Sequence, residues 1–113
     1  MDEKYTSPSK DVVLVLTTVP AGELGEGVAR ALVEERLAAC VSVLAPMTSI
    51  YRWQGAVERG TEQQIVIKTT ADRVAALQAR LGQLHPYDVP ECLVLAVGGG
   101  TATYLDWVRA GTS

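Results

Sequence analysis

The chain is poor in the residues that usually announce a chemistry. It has one histidine and two cysteines in 113 residues, and Cys40 and Cys92 lie too far apart in sequence to form a C-x-x-C pair. A closed zinc site, which needs a full tetrahedral set of Cys or His ligands at short spacing, is therefore excluded within one chain. No run of four or more basic residues occurs, and the formal net charge is -3. Nucleic acid, which demands a concentrated basic face, is excluded as a partner. No apolar segment approaches the roughly 20 residues that span a bilayer, so no membrane partner is expected. The first ten residues, MDEKYTSPSK, contain no apolar stretch of the signal-peptide type. They are expected to form a flexible tail, residues 1–10, ahead of a single domain over 11–113. Without an export signal, the expected location is the cytoplasm, with both thiols reduced.

What remains is an ordinary globular composition, 48% apolar and 20% charged, which one core can absorb. VVLVL (12–16) is a continuous apolar run, predicted to be a strand covered on both faces or nearly so. After Pro20 and Gly22, the residues Leu24, Val28, Ala31, Leu32 and Leu37 recur at helical spacing. Ala38 to Val43 return to strand composition and Pro46 interrupts, as expected of a bulge, bend or edge. Thr48 to Trp53 resume the alternation, Gln54-Gly55 reads as a hairpin turn, and Val57 to Thr70 form the return strand. Thr69 or Thr70 is then expected to cap a second helix carrying Val74, Leu77, Leu81 and Leu84 on one face. Cys92 to Val97 read as a last, buried strand, and Thr101 opens a short C-terminal helix with Tyr104, Leu105, Trp107 and Val108.

The order predicts an α+β fold: a ferredoxin-like βαββαβ sandwich with an extra short C-terminal helix and a long hairpin between its second and third strands. That hairpin exceeds the usual strand length of about five or six residues. Its edges, with Tyr51 and Trp53, need cover, and a second copy of the chain is the economical source.

Several segments together resemble the CutA family of divalent-cation tolerance proteins: LAACVSV (37–43), SIYRWQG (49–55), Glu62 with IVIKTT (65–70), HPYDVPE (85–91) and YLDWV (104–108). The resemblance implies a homotrimer whose long hairpins pair between subunits, and a link to copper and other divalent cations. It implies His85 and Cys40 as metal ligands, with Thr17 standing where some members carry a first-strand cysteine. It also implies an inter-subunit cleft lined by Trp53, Glu62, Lys68, Tyr87, Tyr104 and Trp107.

Neutral imidazole suits copper, zinc or nickel, and a carboxylate from Asp88 or Glu91 could complete a borderline site, so Glu91 joins the candidate ligands. Against this, Pro86 and Pro90 already account for where the helix stops and the last strand starts. No cofactor is required, and Cu2+ or another divalent cation is the candidate ion. Neither cysteine lies at a predicted helix N-terminus or beside a basic cluster, so no nucleophile is expected and the chain is not read as an enzyme. The rival reading is a regulatory or scaffold trimer, of the architecture shared by the signal-transducing PII proteins, that senses a small ligand or docks a partner.

Overall fold

The structure, a computed structural model, describes residues 7–113. Of the predicted N-terminal tail, residues 1–6 lie outside the described residues. The backbone oxygens of Ser9 and Asp11 accept hydrogen bonds from the amides of Asp72 and Ala71, 2.8 Å each, and Lys10 pairs with Asp72 at 2.6 Å.

The elements run β1 (Val12–Pro20), α1 (Leu24–Glu34), β2 (Cys40–Val43), β3 (Met47–Trp53), β4 (Ala56–Thr70), α2 (Val74–Leu84), β5 (Leu93–Ala96) and α3 (Ala102–Gly111). All strands belong to one antiparallel sheet of order β2-β4-β1-β5, and β3 continues along the outer half of β4. This is the ferredoxin-like βαββαβ order, with Pro46 splitting the second strand into β2 and β3.

Alternation decides what each face of the sheet meets. Val13, Val15, Val19, Ile65 and Ile67 are buried and pack against Val28 and Leu32 of α1 and Val74, Leu77 and Leu81 of α2. Their neighbours Leu14, Leu16, Gln64, Val66 and Lys68 point the other way and are only half-buried. The apolar run of β1 is thus sealed on one face, not two. The last strand is likewise open on one side, with Leu93 55% and Leu95 42% exposed, which corrects the expectation of a fully buried strand. Hydrophobicity alone does not distinguish burial by the fold from burial the fold leaves undone.

Two local expectations meet different outcomes. Gln54 and Gly55 both take positive φ, 50° and 83°, the geometry of a tight turn whose twist matches its strands. The helix cap at Thr69 or Thr70 is not made. Thr69 Oγ1 instead donates to the Leu37 carbonyl at 2.7 Å, and Thr70 Oγ1 donates to Asp72 Oδ1 at 2.6 Å. A 3-10 turn, Ala71–Arg73, precedes α2.

Pro46 does more than interrupt. Val43 pairs with Ile65 and Met47 pairs with Glu62, so four steps on one strand match three on the other. The extra residue makes a bulge, held by the Leu44 amide on the Gln64 carbonyl and by Gln63 Nε2 on the Leu44 carbonyl, both 2.9 Å. Because side chains alternate with period two, one extra residue reverses the facing of everything beyond it. Val41 and Val43 pack on the core, whereas Met47, Ser49, Tyr51 and Trp53 share the face of Glu62, away from the helices.

Candidate functional site: the cleft beneath the hairpin

The reversed strand forms one wall of a cleft, and the connection between α2 and β5 forms the other. Pro86 drives His85 out of the helix, to ψ 133°, and turns its ring back onto the sheet. His85 is 8% exposed. Its Nε2 donates to the Thr18 carbonyl at 2.7 Å, and its Nδ1 accepts the Tyr87 amide at 3.2 Å. A carbonyl cannot donate and an amide N–H cannot accept, so the neutral Nε2–H tautomer satisfies both bonds.

This connection, a strap over residues 85–91, is pinned twice more. Tyr87 donates its hydroxyl to Glu62 Oε2 at 2.7 Å. Burial first, then the Glu62 carboxylate that accepts its hydrogen bond and Tyr51 nearby, hold the Tyr87 phenol well above its ordinary pKa. Gln64 Nε2 donates to both Glu91 Oε2 at 3.0 Å and the Thr17 carbonyl at 2.7 Å. Three bonds, from His85, Tyr87 and Glu91, therefore fix HPYDVPE to β1 and β4.

Between strap and hairpin lies a cavity of about 800 Å3, walled by Met47, Tyr51 and Trp53 on one side and Tyr87, Asp88 and Glu91 on the other, with Glu62 and Gln64 at its floor. Among the described residues its lining carries three carboxylates and no lysine or arginine. No salt bridge among the described residues involves Glu62, Asp88 or Glu91. Even so, the carboxylates do not converge: among the described residues, no group of three His, Cys, Asp or Glu side chains is placed to hold a metal ion.

The remaining candidate residues form a second cluster. Cys40 faces Lys68 across the β2–β4 pair. Lys68 Nζ lies 5.5 Å from the centre of the Tyr104 ring, and Tyr104 stacks on Trp107 at 5.5 Å. This cluster depends on how α3 is docked. Arg36, held at φ 61°, donates to the carbonyls of Ala110 and Ser113 at 2.8 and 2.7 Å, and Arg73 donates to the Thr112 carbonyl at 2.6 Å. Cations at a helix C-terminus satisfy carbonyls the helix leaves open. Val108 is buried beneath, while Tyr104 and Trp107 stay about half exposed.

Within one chain, then, Trp53, Glu62, Tyr87 and Glu91 come together, and Lys68, Tyr104 and Trp107 do so separately. His85 and Cys40 do not meet. Thr18 pairs with Gln64, four residues along β4 from Lys68, roughly 13 Å at 3.3 Å per residue. Cys92 lies against the core and is half-buried. Burial, then the Glu91 carboxylate, pushes its thiol above the ordinary range, the direction that makes a thiol less nucleophilic.

Sequence reasoning missed Met47, Ser49, Thr18 and Gln64 as lining residues. The alternation from Met47 to Trp53 was a usable signal, because residues that share a face with Trp53 line whatever Trp53 lines. Gln64 gave none, since a glutamine on a half-exposed strand face looks like solvation.

Fold and cleft together define a ferredoxin-like sandwich with an overhanging hairpin and a strapped, acidic, aromatic cleft beside it. Residues 13–111 match the family described as CutA1 divalent ion tolerance protein. The chain is 48% identical over 99 residues to the Divalent-cation tolerance protein CutA of Thermus thermophilus, spanning 88% of this chain and 96% of that one. Among solved structures, CutA from Xylella fastidiosa superposes with a TM-score of 0.88 at 44% identity, covering 91% of this chain and 99% of that one. CutA1 from Oryza sativa gives 0.89 at 36% identity, covering 95% and 98%. The chain belongs to the CutA family of divalent-cation tolerance proteins.

Proposed function

We propose that this protein serves divalent-cation tolerance as a cytoplasmic homotrimer that binds and does not catalyse. The observation that carries this is the apolar surface one copy leaves open: Ile50, Trp53, Val57, Leu93, Leu95 and Trp107 are each at least 40% exposed. Apolar patches of this kind mark surfaces that meet a partner. They lie on the hairpin arm, the open edge strand and α3, so a head-to-tail contact between copies can cover all three and close into a ring. The Lys68 cluster and the acidic cleft supply opposite charges for such a contact. Three is the ring size implied by the resemblance.

Sedimentation or light scattering at micromolar concentration should return three times the 12.1 kDa of one chain. Trp53→Ala should shift that mass toward the monomer, and a wild type that runs as a clean monomer overturns the reading. Copper is the first ion to test. Because His85 spends both ring nitrogens on the fold, His85→Ala should lower stability while leaving Cu2+ affinity within about twofold, less than 0.5 kcal/mol. A tenfold loss of copper affinity with the fold intact would restore His85 as a ligand.

A second reading, a small-ligand sensor, is favoured by one observation. The cleft has the volume typical of small-molecule sites, roughly 300–1,000 Å3, with aromatic walls and a few polar groups.

A further inference from the structure

From the cleft's shape and charge we infer that its ligand is a linear di- or polyamine, an inference that rests on the small-ligand reading. Two observations narrow the class. Glu62, Asp88 and Glu91 give the lining negative charge, with no lysine or arginine in it among the described residues, so an anion would be repelled and a neutral ligand would leave that charge uncompensated. A Lys68 supplied by a neighbouring copy would still leave two of the three carboxylates in excess. Nor do the three carboxylates gather at coordination distance, since no group of three such donors occurs among the described residues. A compact metal ion needs its donors gathered on one centre; separated carboxylates fit a ligand whose positive charges are themselves separated.

The walls between them suit what joins such charges. Met47, Tyr51 and Trp53 present apolar and aromatic surface on one side and Tyr87 on the other. Methylene chains bury well against such faces, and an ammonium group is attracted to the face of a Trp or Tyr ring. Tyr87 and Gln64 already hold one oxygen each of Glu62 and Glu91. Those two carboxylates are thereby positioned before any ligand arrives, which reduces the ordering entropy of binding. Asp88 makes no such bond among the described residues and sits at the tip of the strap, where it can close onto the second charge.

Titration calorimetry with spermidine and 1,4-diaminobutane on the full chain tests this, with light scattering on the same samples. Wild type should bind both amines, more weakly as salt is raised. Asp88→Asn, which breaks no hydrogen bond among the described residues, should weaken spermidine at least tenfold, and Trp53→Leu at least fivefold. 1-Butylamine, with one charge and the same chain length, should bind at least tenfold more weakly than the diamine. Absence of spermidine binding overturns the inference. So does binding indifferent to both substitutions, or Mg2+ displacing spermidine at equal concentration, which would mean that charge alone is read. The scattering keeps the two proposals apart: a monomer that binds spermidine removes the trimer and leaves the amine site, and a trimer that ignores it does the reverse.

Discussion

The two halves of β4 are one unbroken strand in two different situations. From Glu62 to Thr70 it has a neighbour on each side for most of its length, and Ile65, Ile67, Thr69 and Thr70 are wholly buried. From Ala56 to Thr61 it pairs with β3 alone, and nearly every residue is exposed. The strand pattern is comparable in both halves, but only the inner one has helices to bury its alternate residues. A two-stranded ribbon in water is marginal by itself. The outer half is therefore built for what it meets outside the chain, and the inner half for the chain's own stability.

The largest effect that separates them is Ile67→Ala. Emptying a fully enclosed site should cost about 2–5 kcal/mol, the same at any protein concentration, whereas Val57→Ala on the arm should matter only where copies associate. Denaturant melts over a hundredfold concentration range distinguish the two, and equal concentration dependence would break the contrast.

Next comes Thr17→Val. The Thr17 hydroxyl is buried against the inner half, and no partner for it occurs among the described residues. An isosteric methyl removes that desolvation penalty, for a gain of about 1 kcal/mol in the same melts.

Tyr87→Phe acts at the boundary. Losing a charge-assisted bond that is partly open to solvent should cost about 1 kcal/mol. The raised phenol pKa also has a sign. Tyr87 favours the folded state fully below its ordinary value of 10.0, and that contribution fades as pH climbs above it. The variant should show a flatter alkaline limb in stability against pH.

Smallest is Gln54→Asn. Asparagine tolerates the left-handed backbone that glutamine adopts here at φ 50°, so the arm should gain about 0.5 kcal/mol, part of the roughly 1–2 kcal/mol such a residue costs.

What the sequence disclosed follows the same division. The element order, the turn at Gln54-Gly55 and the helix exit at His85 were legible because local chemistry decides them: positive φ at a two-residue turn, and proline's exclusion of helix from the residue before it. The missing cap at Thr70 was not legible, because Asp72 and Thr112 compete for the hydroxyl and Thr112 lies 42 residues away. The bonding of His85 was hidden for a similar reason. Its bond to the Thr18 carbonyl depends on β1 passing beneath the strap, and no spacing along the chain reports that. The segments that resembled a family located the cleft's signature residues, whereas the other half of its wall came from a facing that only strand pairing revealed.

The bulge at Leu44–Pro46 gives that facing the character of a reading frame. A substitution there changes one side chain, but a single-residue deletion would restore strict alternation and turn every later residue of β3 over. Tyr51 and Trp53 would leave the cleft, and Ile50 and Arg52 would take their places, with the core beneath untouched. Among length changes, loss of one residue between Val43 and Met47 is thus the smallest edit that would erase the site and keep the fold.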